Sequence, residues 1–246
     1  VWTATRWTAV FAEQAGLFRT AVATADLAAD VPSCPGWTFN DLSLHVARFL
    51  HTATRYLTSG SIVELRPVPV RRDVDPLKYL DEQLAAANQV LRNTSGNRPV
   101  WTFSPAAPDL AWVWHRRVAH ELNLRRWDAQ AALRTLTPTD REQAADAIDE
   151  LLGTLLAARL RGDSAPASLS AADGKGTAVV SCTDGAQSWH VRFAPGVVPE
   201  VRSAAPDEQA DARLSNRTAN VLYQLWSRMQ LTGSGDLAVL RALRMS

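Results

Sequence analysis

The chain has 246 residues, 46% apolar and 21% charged, and its 26 basic and 25 acidic side chains leave a formal net charge of +1. That balance excludes the basic excess of a typical nucleic-acid binder, because the pairs Arg71-Arg72, Arg116-Arg117 and Arg125-Arg126 are dispersed. The length suits one large domain or two modest ones, and no run of 18 apolar residues suggests a membrane span.

Two cysteines, Cys34 and Cys182, are too few for a disulfide framework and point to a reducing compartment. The first residues, VWTATRWTAVF, lack the layered plan of a signal peptide. A cytoplasmic protein with a small-molecule partner, and with neither nucleic acid nor membrane as partner, is therefore expected. Its oligomeric state, monomer or dimer, is left open.

Residues 2–27 place Trp7, Val10, Phe11, Leu17, Phe18 and Val22 at helical spacing. The turn VPSCPGW follows. Thr38 then opens a second helix, with Asp41 three residues on in a capping-box arrangement, and Gly60 stops it. A third helix fits DPLKYLDEQLAAANQVLRN, with Leu77, Leu80, Leu84 and Leu91 on one side. A polar, proline-rich loop covers 94–108 and a fourth helix spans 109–134. Thr137, Pro138 and Asp140 read as N-cap, first-turn proline and capping acid of a fifth helix that reaches about Arg161.

At GDSAPAS, residues 162–168, the character changes. GTAVVSCTDGAQSWHVRF reads as two strands around the turn Thr183-Asp184-Gly185. Helical patterning returns at Ser215-Asn216 and runs through Leu222, Leu225, Trp226 and Met229, and a short last helix holds Leu237, Leu240 and Leu243. The expected division is a helical bundle over 1–164 and a small α+β domain over 165–246.

Some inward positions are polar. His45 lies between Leu42 and Phe49 on the apolar face of the second helix. On the fourth, Trp114, Val118, Glu121, Arg125, Asp128 and Ala132 alternate steps of four and three and share one stripe. A half-buried carboxylate needs a partner. For Glu121 the choices are Arg125, His45, a metal or a ligand, and a purely structural pair is the simplest of them. Asp128 is placed to orient His45 or to pair with Arg125.

The segments VPSCPGWTFNDLSLHVARF and WVWHRRVAHELNLRRWDAQ resemble the two signature stretches of the mycothiol-dependent maleylpyruvate isomerase family, part of the DinB-like superfamily. VSCTDGAQSWHVRF, ADARLSNRTANVLYQLWSR and GSGDLAVLRAL are similar to the small domain such proteins carry. The resemblance implies a mainly α protein: a DinB-like four-helix bundle with a long connection, then a small C-terminal α+β domain. It also implies an actinobacterial source, with mycothiol as the thiol cofactor.

The resemblance further implies zinc or another divalent metal held by His45, Glu121 and a histidine four residues later. Here that last position is Arg125, which does not deprotonate to bind a metal at neutral pH. The implied site is incomplete. His120, His115 and His51 point elsewhere around their helices, so none is a ready replacement. The implied activity is isomerase or thiol-transferase chemistry on a small unsaturated or electrophilic substrate, with Arg125, His45, Glu121 and Asp128 as the catalytic candidates. A metal-free biosynthetic enzyme reusing the cleft and a non-catalytic small-molecule binder stand as alternatives.

Arg228, in LWSR, matches an arginine the family associates with substrate or thiol binding. Among the nine tryptophans, Trp101 and Trp114 are the candidates for substrate contact, while Trp37 and Trp127 are expected to pack. Cys34 sits in a turn and is a candidate reactive thiol, although its sequence neighbours offer no clear stabilisation of a thiolate, and Cys182 lies in a strand pattern and is expected to be buried and inert.

Overall fold

The computed structural model describes residues 2–66, 74–158, 175–205 and 207–245. Two compact units emerge: Val1–Thr102 with Pro108–Pro138, and Phe103–Ala107 with Thr139–Ser246. The expected linker at 162–168 and the boundary at 164/165 lie outside the described residues, as does Arg71-Arg72.

The first unit is a bundle of four helices, α1 (Ala4–Thr24), α2 (Phe39–Ser59), α3 (Pro76–Asn93) and α4 (Ala111–Leu133). In it α1 packs on α4 and α3, and α2 packs on α3 and α4. Each helix starts where its sequence supplies a cap, except α4. The side chain of Thr3 accepts from the N–H of Arg6, and that of Asp75 from Lys78, with Pro76 in the first turn. Thr38 and Asp41 form the expected capping box, and Gly60 ends α2 at φ 62°, in the left-handed region. Along α1, Trp7, Phe11, Phe18 and Val22 recur at helical spacing and are buried. Each such apolar side chain contributes about 1.5–3 kcal/mol on burial.

α4 begins two residues later than expected and has no side-chain cap. Its start is fixed by backbone, through the N–H of Val100 to the carbonyl of Asp109 (3.0 Å) and of Ala111 to Arg98 (2.9 Å). The helix is buried around most of its circumference, including Arg116, Arg117, His120, Glu121, Arg125, Arg126 and Asp128. A single apolar face is therefore a poor description of it, and its many charges need internal partners.

The second unit begins with α5 (Arg141–Glu150), continued by a π-helical turn (Leu151–Leu155) and α6 (Leu156–Ala158). Its N-cap is Asp140, which accepts from Gln143, and not Thr137. Thr137 is engaged by the first unit: its carbonyl accepts from Arg126 Nη1 (2.6 Å) and its hydroxyl from Gln130 Nε2 (3.1 Å). α5 thus belongs with the C-terminal elements rather than with the bundle. It packs on α7 (Thr218–Leu225), and Asp149 accepts from the indole N–H of Trp189 at 3.1 Å.

The sheet of this unit is ordered β3-β2-β1-β4-β5, from β1 (Gly176–Cys182), β2 (Ser188–Phe193), β3 (Glu200–Ser203), β4 (Ala212–Asn216) and β5 (Ser234–Gly235). β1 and β2 form the expected hairpin, and β4 adds parallel to β1. Ser215 and Asn216 therefore end a strand, opposite Ser181 and Cys182, instead of opening a helix. α7 starts at Thr218, whose N–H and hydroxyl both donate to Asp184 (2.8 and 2.6 Å). It ends at Leu225, short of Met229, because Ser227 takes φ 60°. The last helix, α8, spans Leu237–Ala242. Among the described residues no helix is long and apolar enough to cross a membrane.

Candidate functional site

The site in the first unit is assembled from three pieces: the turn before α2, the first half of α2 and the middle of α4. The turn is built by its prolines and its glycine. Cys34 N–H donates to the carbonyl of Val31 (2.8 Å), with Pro32 between them. Trp37 N–H donates to the carbonyl of Cys34 (2.9 Å), and Gly36 has φ 80° after Pro35, the arrangement of a type II turn. Val31 N–H to the Trp37 carbonyl (2.8 Å) closes the loop. Two consecutive tight turns leave little freedom in where Ser33, Cys34 and Trp37 are held.

On α4, Arg117, Glu121, Arg125 and Asp128 form a ladder along one side. Arg117 Nη2 donates to Glu121 Oε2 at 3.0 Å, and Arg125 Nε donates to Glu121 Oε1 at 2.7 Å. Arg125 Nη1 donates to Asp128 Oδ2 at 3.1 Å. From α2, His45 Nε2 lies 3.0 Å from Glu121 Oε1, the oxygen Arg125 also holds. The Glu121 side chain is 8% exposed, whereas that of His45 is 34% exposed.

Burial pushes the Glu121 carboxyl up. Arg125, the His45 hydrogen bond and Arg117 together outweigh it and hold the group well below the usual carboxylate range. Burial likewise lowers the Arg125 guanidinium, but Glu121 and Asp128 raise it further, so it stays charged.

The turn meets the ladder at Asp128. Ser33 Oγ donates to Asp128 Oδ1 (2.6 Å) and Cys34 Sγ donates to Oδ2 (3.3 Å). Arg125 Nη1 reaches Cys34 Sγ as well, at 3.7 Å. The Arg125 guanidinium also lies 5.4 Å from the centre of the Trp37 ring, which in turn sits 4.8 Å from the His45 ring. Trp37 is therefore a wall of the site and not only a packing residue. Arg125 Nη2 has no hydrogen-bond partner among the described residues. That edge and the Nδ1 side of His45 are where a bound molecule would find donors.

Four of the candidates named from sequence, His45, Glu121, Arg125 and Asp128, thus meet in one place. Two others, Trp114 and Trp101, do not. Trp114 is 4% exposed, and its indole N–H donates to the carbonyl of Trp101 at 2.8 Å. Both rings stack on Tyr56, at 5.1 and 4.7 Å. Trp114 stands seven residues from Glu121, roughly 10 Å along the helix, so this stack is core packing away from the ladder. Arg228 belongs to the second unit, where its backbone N–H donates to Tyr223 (2.8 Å) and its Nη1 to the carbonyl of Trp226 (2.8 Å), closing the end of α7.

Sequence reasoning missed Arg117 and Ser33, and for Cys34 it missed the partners. Arg117 had a signal, since it stands one turn before Glu121. Ser33 and the partnership of Cys34 had none, because Asp128 is 95 and 94 residues away. His115 and His120 stay on other faces; His115 is fully buried, its ring nitrogens facing the carbonyls of Ala111 (2.8 Å) and Leu91 (3.1 Å). Among the described residues no three of His, Cys, Asp and Glu converge so that they could hold a metal ion.

The first unit is thus a four-helix bundle whose inward ionisable groups come from its second and fourth helices. The family described as mycothiol maleylpyruvate isomerase N-terminal domain matches residues 8–130, half of the chain, and the chain belongs to that family. No curated protein and no solved structure matches it.

Proposed function

We propose that the chain is a divergent enzyme of this family that carries out thiol-dependent isomerase or transferase chemistry on a small unsaturated or electrophilic substrate, without a divalent metal. The observation that carries the reading is the position of Arg125. Its guanidinium sits between Glu121 and Asp128 (2.7 and 3.1 Å), where the family resemblance implies the last metal ligand. Both oxygens of Glu121 accept from guanidinium groups, and a fixed positive charge lies against the same oxygen that His45 meets. This donor set does not fit a divalent cation, which would need those lone pairs and would be repelled by the arginines.

In this reading Arg125 does electrostatically part of what a metal would do. A thiolate or a substrate carboxylate at its Nη2 edge is stabilised by charge-assisted hydrogen bonds, from a donor already oriented by two carboxylates. His45, partly exposed, is the group placed to exchange a proton with a bound molecule. Trp37 offers a flat face beside both. Mycothiol, the thiol of the family's description, is the proposed cofactor, and a cytoplasmic location belongs to the same proposal.

The test is metal content by mass spectrometry on untagged protein, with and without added zinc, beside the Arg125→His variant. We expect wild type to hold no stoichiometric metal and the variant to take up about one ion per chain, as a site with its ligand set restored would. Close to one metal per chain in wild type would overturn the metal-free reading.

A further inference from the structure

The thiol of Cys34 is not used in the reading above, yet it is tied into the site. It donates to Asp128 Oδ2 (3.3 Å), and Arg125 Nη1 donates both to that oxygen (3.1 Å) and to the sulfur (3.7 Å). One cationic N–H group therefore spans the thiol and its acceptor. If the proton passes from Sγ to Oδ2, the negative charge moves from oxygen to sulfur while remaining beside the same guanidinium. Transfer thus needs little electrostatic reorganisation. Ser33 on Asp128 Oδ1 (2.6 Å) and the double turn around Pro32, Pro35 and Gly36 hold the group in place.

We propose that Cys34 is a nucleophilic thiol of this site, adding through Sγ to the activated carbon–carbon double bond of a small unsaturated carbonyl compound. As the S–C bond forms, the S–H proton goes to Asp128 and the π pair moves toward the carbonyl. Asp128 then returns the proton to the carbon next to the carbonyl. The sum is addition of S–H across C=C, with no oxidant or other reactant consumed, and the reverse steps release the compound. The inference rests on the proposed function for its substrate class, but places a thiol in the chain itself beside any external one.

Cys182 is a built-in control. It is 6% exposed against 7% for Cys34, but it lies in β1, and burial pushes its thiol up. The experiment is a time course of alkylation by acrylamide, a small neutral acceptor, on the folded full-length chain. Peptide mass spectrometry reads both cysteines, with rates normalised to those in denaturant. We expect Cys34 to react at least roughly tenfold faster than Cys182, and Arg125→Met and Asp128→Asn each to remove most of that advantage, the scale on which positioned general bases act.

Equal rates for the two cysteines in wild type would overturn the inference whether or not the variants fold. So would a Cys34 rate unchanged in both folded variants. Mycothiol binding, measured by calorimetry on the same wild-type preparation, reads the functional proposal separately. Binding with an unreactive Cys34 sinks only the present inference, and a reactive Cys34 without binding sinks only the role given to mycothiol.

Discussion

Glu121 and Arg125, one turn apart on α4, form a 2.7 Å ion pair whose carboxylate oxygen is shared with His45 of α2 at 3.0 Å. The pair is buried, so its worth lies less in attraction than in what is left when one partner goes. Glu121→Ala would remove the carboxylate that Arg117 Nη2 and Arg125 Nε share and leave buried positive charge less well compensated. We expect a loss of about 3–5 kcal/mol, read as a lower denaturation midpoint in urea. A change within experimental error would mean that water or other groups replace the carboxylate.

The same residue sets an acid limit. Its folded carboxyl titrates well below the usual range, chiefly because Arg125, the His45 hydrogen bond and Arg117 overcome burial. A depressed folded value contributes stability that is fully present above the unfolded value of about 4.3, and that is lost as pH falls through the folded value. Glu121→Gln should therefore flatten the fall in stability on acidification below about pH 4. Parallel acid titrations of the two proteins, followed by circular dichroism, would show it.

Gly36→Ala tests the turn that presents Cys34 and Trp37. Gly36 has φ 80°, and a Cβ there would meet no atom within 4 Å. The cost is backbone strain alone, about 1–2 kcal/mol. We expect a folded protein with a slightly lower melting temperature and slower alkylation of Cys34, since relieving the strain shifts the thiol from Asp128. Unchanged alkylation would show that the turn does not position it.

Thr38→Ala removes one half of the capping box of α2, the helix that carries His45. The expected loss is about 1 kcal/mol, by thermal denaturation, with Cys34 reactivity retained because the turn keeps its own backbone bonds. A loss near zero would mean that Asp41, which still accepts from the backbone N–H of residue 38 (2.9 Å), is enough.

Where local chemistry fixes an element, the sequence was a sound guide. Thr38, Asp75 and Gly60 cap helices by contacts within a few residues, and the hairpin of β1 and β2 follows from alternation around a turn. Where a distant partner decides, it was not. Thr137 has the chemistry of an N-cap but is occupied by Arg126 and Gln130, so α5 starts at Asp140. Ser215 and Asn216 look like the start of a helix but extend a parallel ladder with β1, a partner more than thirty residues earlier.

The site divides the same way. Helical periodicity alone places Glu121, Arg125 and Asp128 on one side of α4, whereas the reading of Arg125 as standing at a ligand position comes only from the family resemblance. That Arg125 turns toward Glu121 and Asp128, that Arg117 completes the ladder, and that Cys34 and Trp37 close on it from a turn some ninety residues earlier were decided by packing. Spacing along a helix constrains which side chains share a face. The partner a buried charge takes depends on which groups the rest of the bundle brings within hydrogen-bond reach, and that is settled only when α2, its preceding turn and α4 are packed together.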